Sequence, residues 1–322
     1  MESVADPAGV HPENSDNKWL AWDLNWRDTS RTARTAMKQV SQREQLAHIF
    51  CRLDKFCSGA YALFADTPLP RTAVIFVHGF SGGPTETWTA FQSMIDSHAE
   101  QFPYWKSSDG FFFTYGDVLS SIDDSADRFN DFLDLVFPSL SQEVLDLLPE
   151  LATQIRAYES LVLIGHSEGA VVIRAAIANA AKKFILHGKK KAPILDARVS
   201  LFAPAHLGFV PTSWLGAFAA LTNILELANI AIAFSTPASE MHDKSLLLQL
   251  KEITERLFQV KPEVPALTAH VLFGSDEHVV VRSEYYQDCR HDPERAKDHR
   301  SICKPSADYQ RPLGFVIGDC PE

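Results

Sequence analysis

The sequence predicts an α/β protein: a mostly parallel central sheet flanked by helices, with a helical cap inserted over about residues 207–240. Three stretches predict it. Residues 161–164 are an unbroken apolar run that breaks at Gly165-His166-Ser167-Glu168-Gly169, and an Ala/Val/Ile-rich helical stretch follows to residue 184. That is strand, sharp turn and helix with a serine at the apex, the G-x-S-x-G pattern in the context it requires. Residues 72–77 are β-branched and apolar on both faces, as in a buried parallel strand. Residues 198–203 and 268–273 repeat that pattern downstream, and each runs into a loop containing glycine.

Composition and charge narrow the function. A chain of 322 residues holds one large α/β domain or two small ones, and an apolar fraction of 46% is ample for a core. The net charge of −11 speaks against a nucleic-acid partner, whose phosphates demand a basic face. The first twenty residues are acidic and polar with no apolar segment, so no signal peptide is expected. The five cysteines, Cys51, Cys57, Cys289, Cys303 and Cys320, form no C-x-x-C pair and no even disulfide framework. Reduced thiols in a cytoplasmic compartment are the simplest account.

Residues 1–27 read as a disordered tail. Beyond it, the spacing of Met37, Val40, Leu46, Ile49, Phe50 and Leu53 predicts one or two helices, giving a helical region over 28–65 ahead of a main domain over 66–322. Packing on the core and an oligomer contact are both open roles for it. The strand at 72–77 ends in His78-Gly79-Phe80-Ser81-Gly82-Gly83 and leads into a helix near 85–95. A backbone N–H from such a loop, and another from the residue after the serine, are the donors a developing oxyanion needs. They are assigned to Phe80 and Glu168.

Residues 110–115 read as a further strand before a helix-rich segment over 122–158. Asp123, Asp124, Asp127, Asp131 and Asp134 crowd its start; a helix N-terminus and a solvated face account for them without a metal. After the helix that follows the serine, Lys182, Lys183, Lys189, Lys190 and Lys191 read as a solvated helix end, with an anionic head-group site as the competing reading. The strand at 198–203 opens into Ala203-Pro204-Ala205-His206-Leu207-Gly208 at the sheet edge where open α/β sheets bind ligands. His206 and Leu207, with His78, Gly79 and His166, are therefore candidates for lining a substrate pocket.

Residues 214–234 are almost wholly apolar and long enough to span a bilayer, yet Glu226, Thr222, Asn223 and Asn229 would be costly at its centre. Buried cap helices, or a lid whose apolar side faces lipid or an acyl chain, fit better. A helix is expected over 244–258. Asp276 and Glu277 then stand just past the strand at 268–273, where a carboxylate can fix the tautomer of a histidine. His299 follows both, completing the order serine, acid, histidine. His270 lies within a strand and His278 too close to the acid, which leaves His291 as the rival.

With these residues in place the chain resembles the α/β-hydrolase superfamily, most nearly its lipase/esterase-like branch with the SERAC-type and PGAP1-type proteins. The resemblance covers residues 72–305. It rests on Phe76-Val77-His78-Gly79-Phe80 with Trp88 downstream, on Gly165-His166-Ser167-Glu168-Gly169 and on Ala203-Pro204-Ala205-His206-Leu207-Gly208. The last element is His299-Arg300-Ser301-Ile302-Cys303-Lys304-Pro305, since a His-x-Ser-x-Cys-Lys-Pro ending follows the catalytic histidine in that branch. The resemblance implies a serine hydrolase that cleaves a small-molecule or lipid acyl ester through an acyl-enzyme, with Ser167 as nucleophile, His299 as base and no cofactor. The branch's acid stands in a Gly-x-x-Asp-x-Val-Val pattern. Counting back from Val279-Val280, register favours Glu277 for that place and residue type favours Asp276. Many relatives carry an N-terminal hairpin, for which no strand signal is visible before Thr72; the helical region stands in its place.

Overall fold

Among the described residues eight strands pair into one sheet in the order β1-β2-β4-β3-β5-β6-β7-β8. They are β1 (Leu46–Cys51), β2 (Gly59–Ala65), β3 (Thr72–Val77), β4 (Ser108–Thr114), β5 (Ser160–His166), β6 (Arg198–Phe202), β7 (His270–Leu272) and β8 (Cys289–Arg290). The computed structural model describes residues 46–51, 59–65, 69–79, 87–88, 90–91, 103–115, 121–147, 156–208 and 244–318. Phe80, the tail over 1–27 and the apolar stretch over 214–234 lie outside these, as does the expected cap beyond residue 208.

The centre of the sheet is dry. Every residue of β3 and β4 is buried, as is every residue of β5 after Ser160. A strand covered by helices on both faces gains from apolar side chains at each position, which is why β3 and residues 161–164 of β5 read as continuous apolar runs. Phe76 of β3 stacks on Phe112 of β4 at 4.7 Å between ring centroids, with Trp88 at 5.2 Å and Phe91 at 5.5 Å around it. β4 also buries Asp109, whose carboxylate accepts from Arg156 Nη1 at 2.7 and 2.8 Å and from the Tyr158 hydroxyl at 2.8 Å.

β1 and β2 form an antiparallel hairpin, and β2 pairs antiparallel with β4. This corrects the helical expectation for 28–65 wherever those residues are described. Beside β3, β4 would otherwise end the sheet with a row of unpaired backbone groups, and β2 satisfies them. Tertiary pairing, not local spacing, decides the state of these short segments.

From β4 through β8 every neighbouring pair is parallel. His166 of β5, Phe202 of β6 and Leu272 of β7 stand side by side in register, so the loops after them leave one sheet edge together. The α-helices bounded among the described residues are α1 (Ile122–Val136), α2 (Gln142–Leu147), α3 (Glu168–Ile185), α4 (Lys244–Val260) and α5 (Arg311–Ile317). α3 packs against α1 and α4 and is buried on every side from Glu168 to Ala178. Arg174 in its middle pairs with the buried Asp288 and bonds the Leu267 carbonyl at 3.1 Å. α1 opens with Ser121, whose hydroxyl accepts from the Asp124 amide at 3.0 Å, and with Asp123 and Asp124 in its first turn, where the helix dipole favours carboxylates. Asp127, Asp131 and Asp134 lie on its exposed face. Among the described residues no helix is long and apolar enough to cross a membrane.

Candidate active site

The strand order and directions are those of the α/β-hydrolase fold, which gathers its functional loops at the edge where the parallel strands end. Ser167 sits at that edge, between β5 and α3, with φ 55° and ψ −120°. A residue other than glycine adopts such a conformation only where its surroundings impose it, at roughly 1–3 kcal/mol. Here the Ser167 amide donates to the Phe202 carbonyl at 3.1 Å, and its own carbonyl accepts from the amides of Ala170 and Ala205, both at 3.2 Å. The turn also requires glycine on either side. A β-carbon on Gly165 would lie 2.7 Å from Ala170 Cα, and one on Gly169 2.3 Å from the His78 carbonyl oxygen.

The loops after β7 and β8 bring a carboxylate and an imidazole together. His299 Nδ1 lies 2.9 Å from Glu277 Oε2, and both residues are buried. The other Glu277 oxygen accepts from the Val279 and Val280 amides at 2.8 and 3.0 Å. A carboxylate can only accept, so Nδ1 of His299 carries the proton and a neutral ring keeps its lone pair on Nε2. Burial pushes the Glu277 carboxyl upward, but the bonds from His299 and the two valine amides outweigh it and hold its pKa below the ordinary value. Asp276 is exposed and faces the Ser275 hydroxyl, 3.0 Å away. Of the two acids that sequence left open, Glu277 is the one beside the histidine.

These loops are laced to each other through the backbone. Glu294 N bonds the Phe273 carbonyl at 2.9 Å, Ser275 N the Glu294 carbonyl at 2.7 Å and Asp276 N the Lys297 carbonyl at 3.0 Å. His299 itself rides on a tight turn. Asp298 Oδ1 accepts from the Arg300 amide, the Ser301 amide and the Ser301 hydroxyl at 3.1, 2.8 and 2.6 Å. Sequence reading passed over Asp298, although Asp-x-x-Ser is a recognisable turn pattern.

His166 links this pair to the serine. Its Nε2 lies 2.7 Å from the His299 carbonyl oxygen, and the two rings are 4.8 Å apart. The carbonyl accepts, so Nε2 carries the proton. Burial and the neighbouring His299 hold the His166 pKa down to about 3, which keeps the ring neutral. The residue expected to line a pocket thus anchors the histidine loop to the serine turn.

The remaining candidates collect nearby. A β-carbon on Gly79 would stand 2.8 Å from Ser167 Cβ, so the loop after β3 presses on the serine. The His78 ring stacks on Tyr115 at 4.8 Å, and the Tyr115 hydroxyl donates to the His78 carbonyl at 2.8 Å. Burial lowers the His78 pKa to about 4; burial and the Glu168 carboxylate raise that of Tyr115. Tyr115 was not singled out from sequence, where it reads only as the end of an aromatic strand. Glu168 is buried and opens α3, so its amide belongs to the first turn of an 18-residue helix, the end that favours negative charge. His206 is buried against Tyr285 with Nδ1 donating to the Ser283 carbonyl at 2.9 Å, and Leu207 is half-buried beside it.

The rival histidines are elsewhere. His278 is exposed, and His270 and His291 face each other with ring nitrogens 3.3 Å apart. The charged clusters are elsewhere too: Asp127, Asp131 and Asp134 share a cleft of about 490 Å³ with Lys183, Lys189 and Lys190.

No family model and no curated protein matches the sequence. Among solved structures the chain is similar to carboxylesterase CesB from Bacillus subtilis, at 14% identity over 86% of this chain and 93% of that one, with a TM-score of 0.46. A CIB-like hydrolase from Thermoplasma acidophilum is similar at 12% identity over 84% and 94% of the two chains, with a TM-score of 0.43. The phospholipase PlaB from Legionella pneumophila is similar at 19% identity over 64% of this chain and 39% of its own length, with a TM-score of 0.40. Likeness at this level says nothing of what this chain acts on.

Proposed function

We propose that the chain is a serine hydrolase that cleaves a carboxylic ester in two steps through an acyl-enzyme. The observation that carries this reading is the buried Glu277–His299 pair, tied by His166 to a serine held at positive φ. In the proposed reaction Ser167 Oγ attacks the ester carbonyl carbon while His299 Nε2 takes its proton. The tetrahedral oxyanion accepts from the amides of Glu168 and Phe80. Collapse breaks the bond to the leaving oxygen, and His299 returns the proton to the departing alcohol. A water molecule then loses a proton to His299 and attacks the acyl carbon; collapse breaks the bond to Ser167 Oγ, which takes that proton back from His299 as the acid leaves. Glu277 stays ionised throughout, holding the ring's tautomer and offsetting the charge of the imidazolium.

The same reading takes residues 66–322 as the hydrolase domain, with a cap over 207–240. The apolar residues of 214–234 suit an acyl chain or lipid as the substrate's apolar part and a peripheral membrane contact for a cytoplasmic protein.

Labelling by a fluorophosphonate probe tests the reading. Wild type is expected to label at Ser167, and Ser167→Ala and His299→Ala to lose labelling and ester turnover while staying folded. A folded wild type that never labels would reject the reading in favour of a hydrolase fold used for binding. A panel of chromogenic esters, thioesters and amides then separates ester cleavage from the other acyl transfers that this arrangement supports.

A further inference from the structure

A second cluster of reactive side chains lies away from Ser167 and takes no part in the chemistry above. His270 begins β7, Cys289 is its register partner in the parallel strand β8, and His291 follows two residues on. Residues two apart on an extended chain point to the same face, so Cys289 and His291 turn together toward His270. One donor atom from each of the three lies within 4.8 Å of the others, and all three residues are half-buried. His270 Nδ1 and His291 Nε2 are 3.3 Å apart. Cys289 is outside any disulfide.

The geometry points to a binding site for a borderline-soft divalent cation, zinc foremost, formed by His270, Cys289 and His291. Two ring nitrogens this close either share one proton or aim both lone pairs at a common acceptor. Their separation is that of two corners of a tetrahedron around zinc with bonds of about 2.0 Å. Bringing the sulfur to a third corner needs a movement of about 1 Å, within reach of a rotation at Cys289, and leaves the fourth position to water. Two imidazoles with a thiolate are a donor set that selects zinc over magnesium or calcium.

The rings stand among charges of both signs. Arg198 lies near both rings, and its charge opposes a cation there. Arg311 is paired with Glu294 at 2.6 Å and Asp288 with Arg174, while Asp292 adds negative charge near His291.

The site would be structural. In the register His270 is level with Ile164, three residues short of Ser167 and two strands away, about 14 Å by strand geometry. β8 is an edge strand of only two residues, and Phe315 of α5 covers both rings at 5.0 and 6.5 Å. A metal would fasten this short edge to β7 beneath α5. The sequence carries no metal-ligand spacing here, since His270, Cys289 and His291 meet only through strand pairing.

Cobalt titration of the full-length protein, purified without chelator and then stripped, tests the proposal. One equivalent of Co²⁺ is expected to give a near-ultraviolet sulfur-to-cobalt charge-transfer band, displaced by one equivalent of Zn²⁺. Cys289→Ser removes the band, and His291→Gln lowers the affinity. As a check that needs no variant, one equivalent of Zn²⁺ protects Cys289 in wild type from alkylation, read by mass spectrometry of its peptide. A band that persists in Cys289→Ser, or Cys289 alkylated equally with and without zinc, would overturn the proposal and leave the histidines sharing a proton.

Discussion

A carboxylate 2.9 Å from one ring nitrogen fixes which nitrogen of a histidine is left to act as a base. Glu277→Gln keeps the size of that side chain but can present an N–H to the ring and stabilise the wrong tautomer. Ester turnover is expected to fall about 10³–10⁴-fold, while exposed Asp276→Asn stays within about twofold. Steady-state kinetics on one chromogenic ester separates the two, and equal losses would sink the assignment. His166 makes a finer prediction. His166→Phe keeps a ring between the serine turn and the histidine loop but leaves the buried His299 carbonyl without its donor. A cost of about 1–3 kcal/mol follows, read as a fall in kcat of tenfold or more with KM little changed. An unchanged kcat would make His166 a packing residue only. The serine turn was legible at this scale because its glycines, strand and helix are consecutive. The acid was not, because two adjacent carboxylates differ only in which way the chain turns, and that is set by the Val279 and Val280 amides.

Among the elements, β4 holds the least expected residue: an aspartate in a central strand, paired with Arg156 and Tyr158. Removing one partner of a fully buried pair strands the other charge, so Asp109→Ala is expected to lose about 3–5 kcal/mol. Denaturant unfolding monitored by circular dichroism measures it, and a loss below about 1 kcal/mol would mean that water reaches Arg156. The strands at 72–77 and 160–166 could be read in advance because burial on both faces leaves a nearly continuous apolar signature. The hairpin at 46–65 could not, since its partner β4 lies more than forty residues further on. Nor could β8, whose two residues carry no pattern at all.

Across the whole molecule, acid should unfold the protein from a definite pH. His78, His166 and His206 have folded pKa values of about 4, 3 and 3 against an ordinary 6.5. Between 6.5 and those values the unfolded chain binds more protons than the folded one. Stability therefore falls as pH drops below 6.5, by roughly 1.4 kcal/mol per pH unit for each histidine. The depressed Glu277 adds a loss only below its ordinary 4.5, as pH falls toward and through its folded value. Guanidinium midpoints at pH 7, 6 and 5 should decline, and His206→Gln should decline less steeply; a flat profile would mean that the rings are charged in the folded state. The lacing between the loops that carry Glu277 and His299 bears on inheritance as well. A β-carbon on Gly274 would lie 1.9 Å from the Lys297 carbonyl oxygen, and each rung from Phe273 to Lys297 counts residues as well as joining them. In descendants of this gene, letters between 274 and 297 are free to drift at exposed positions. Their number is not: adding or deleting one codon there would slide the histidine past its acid.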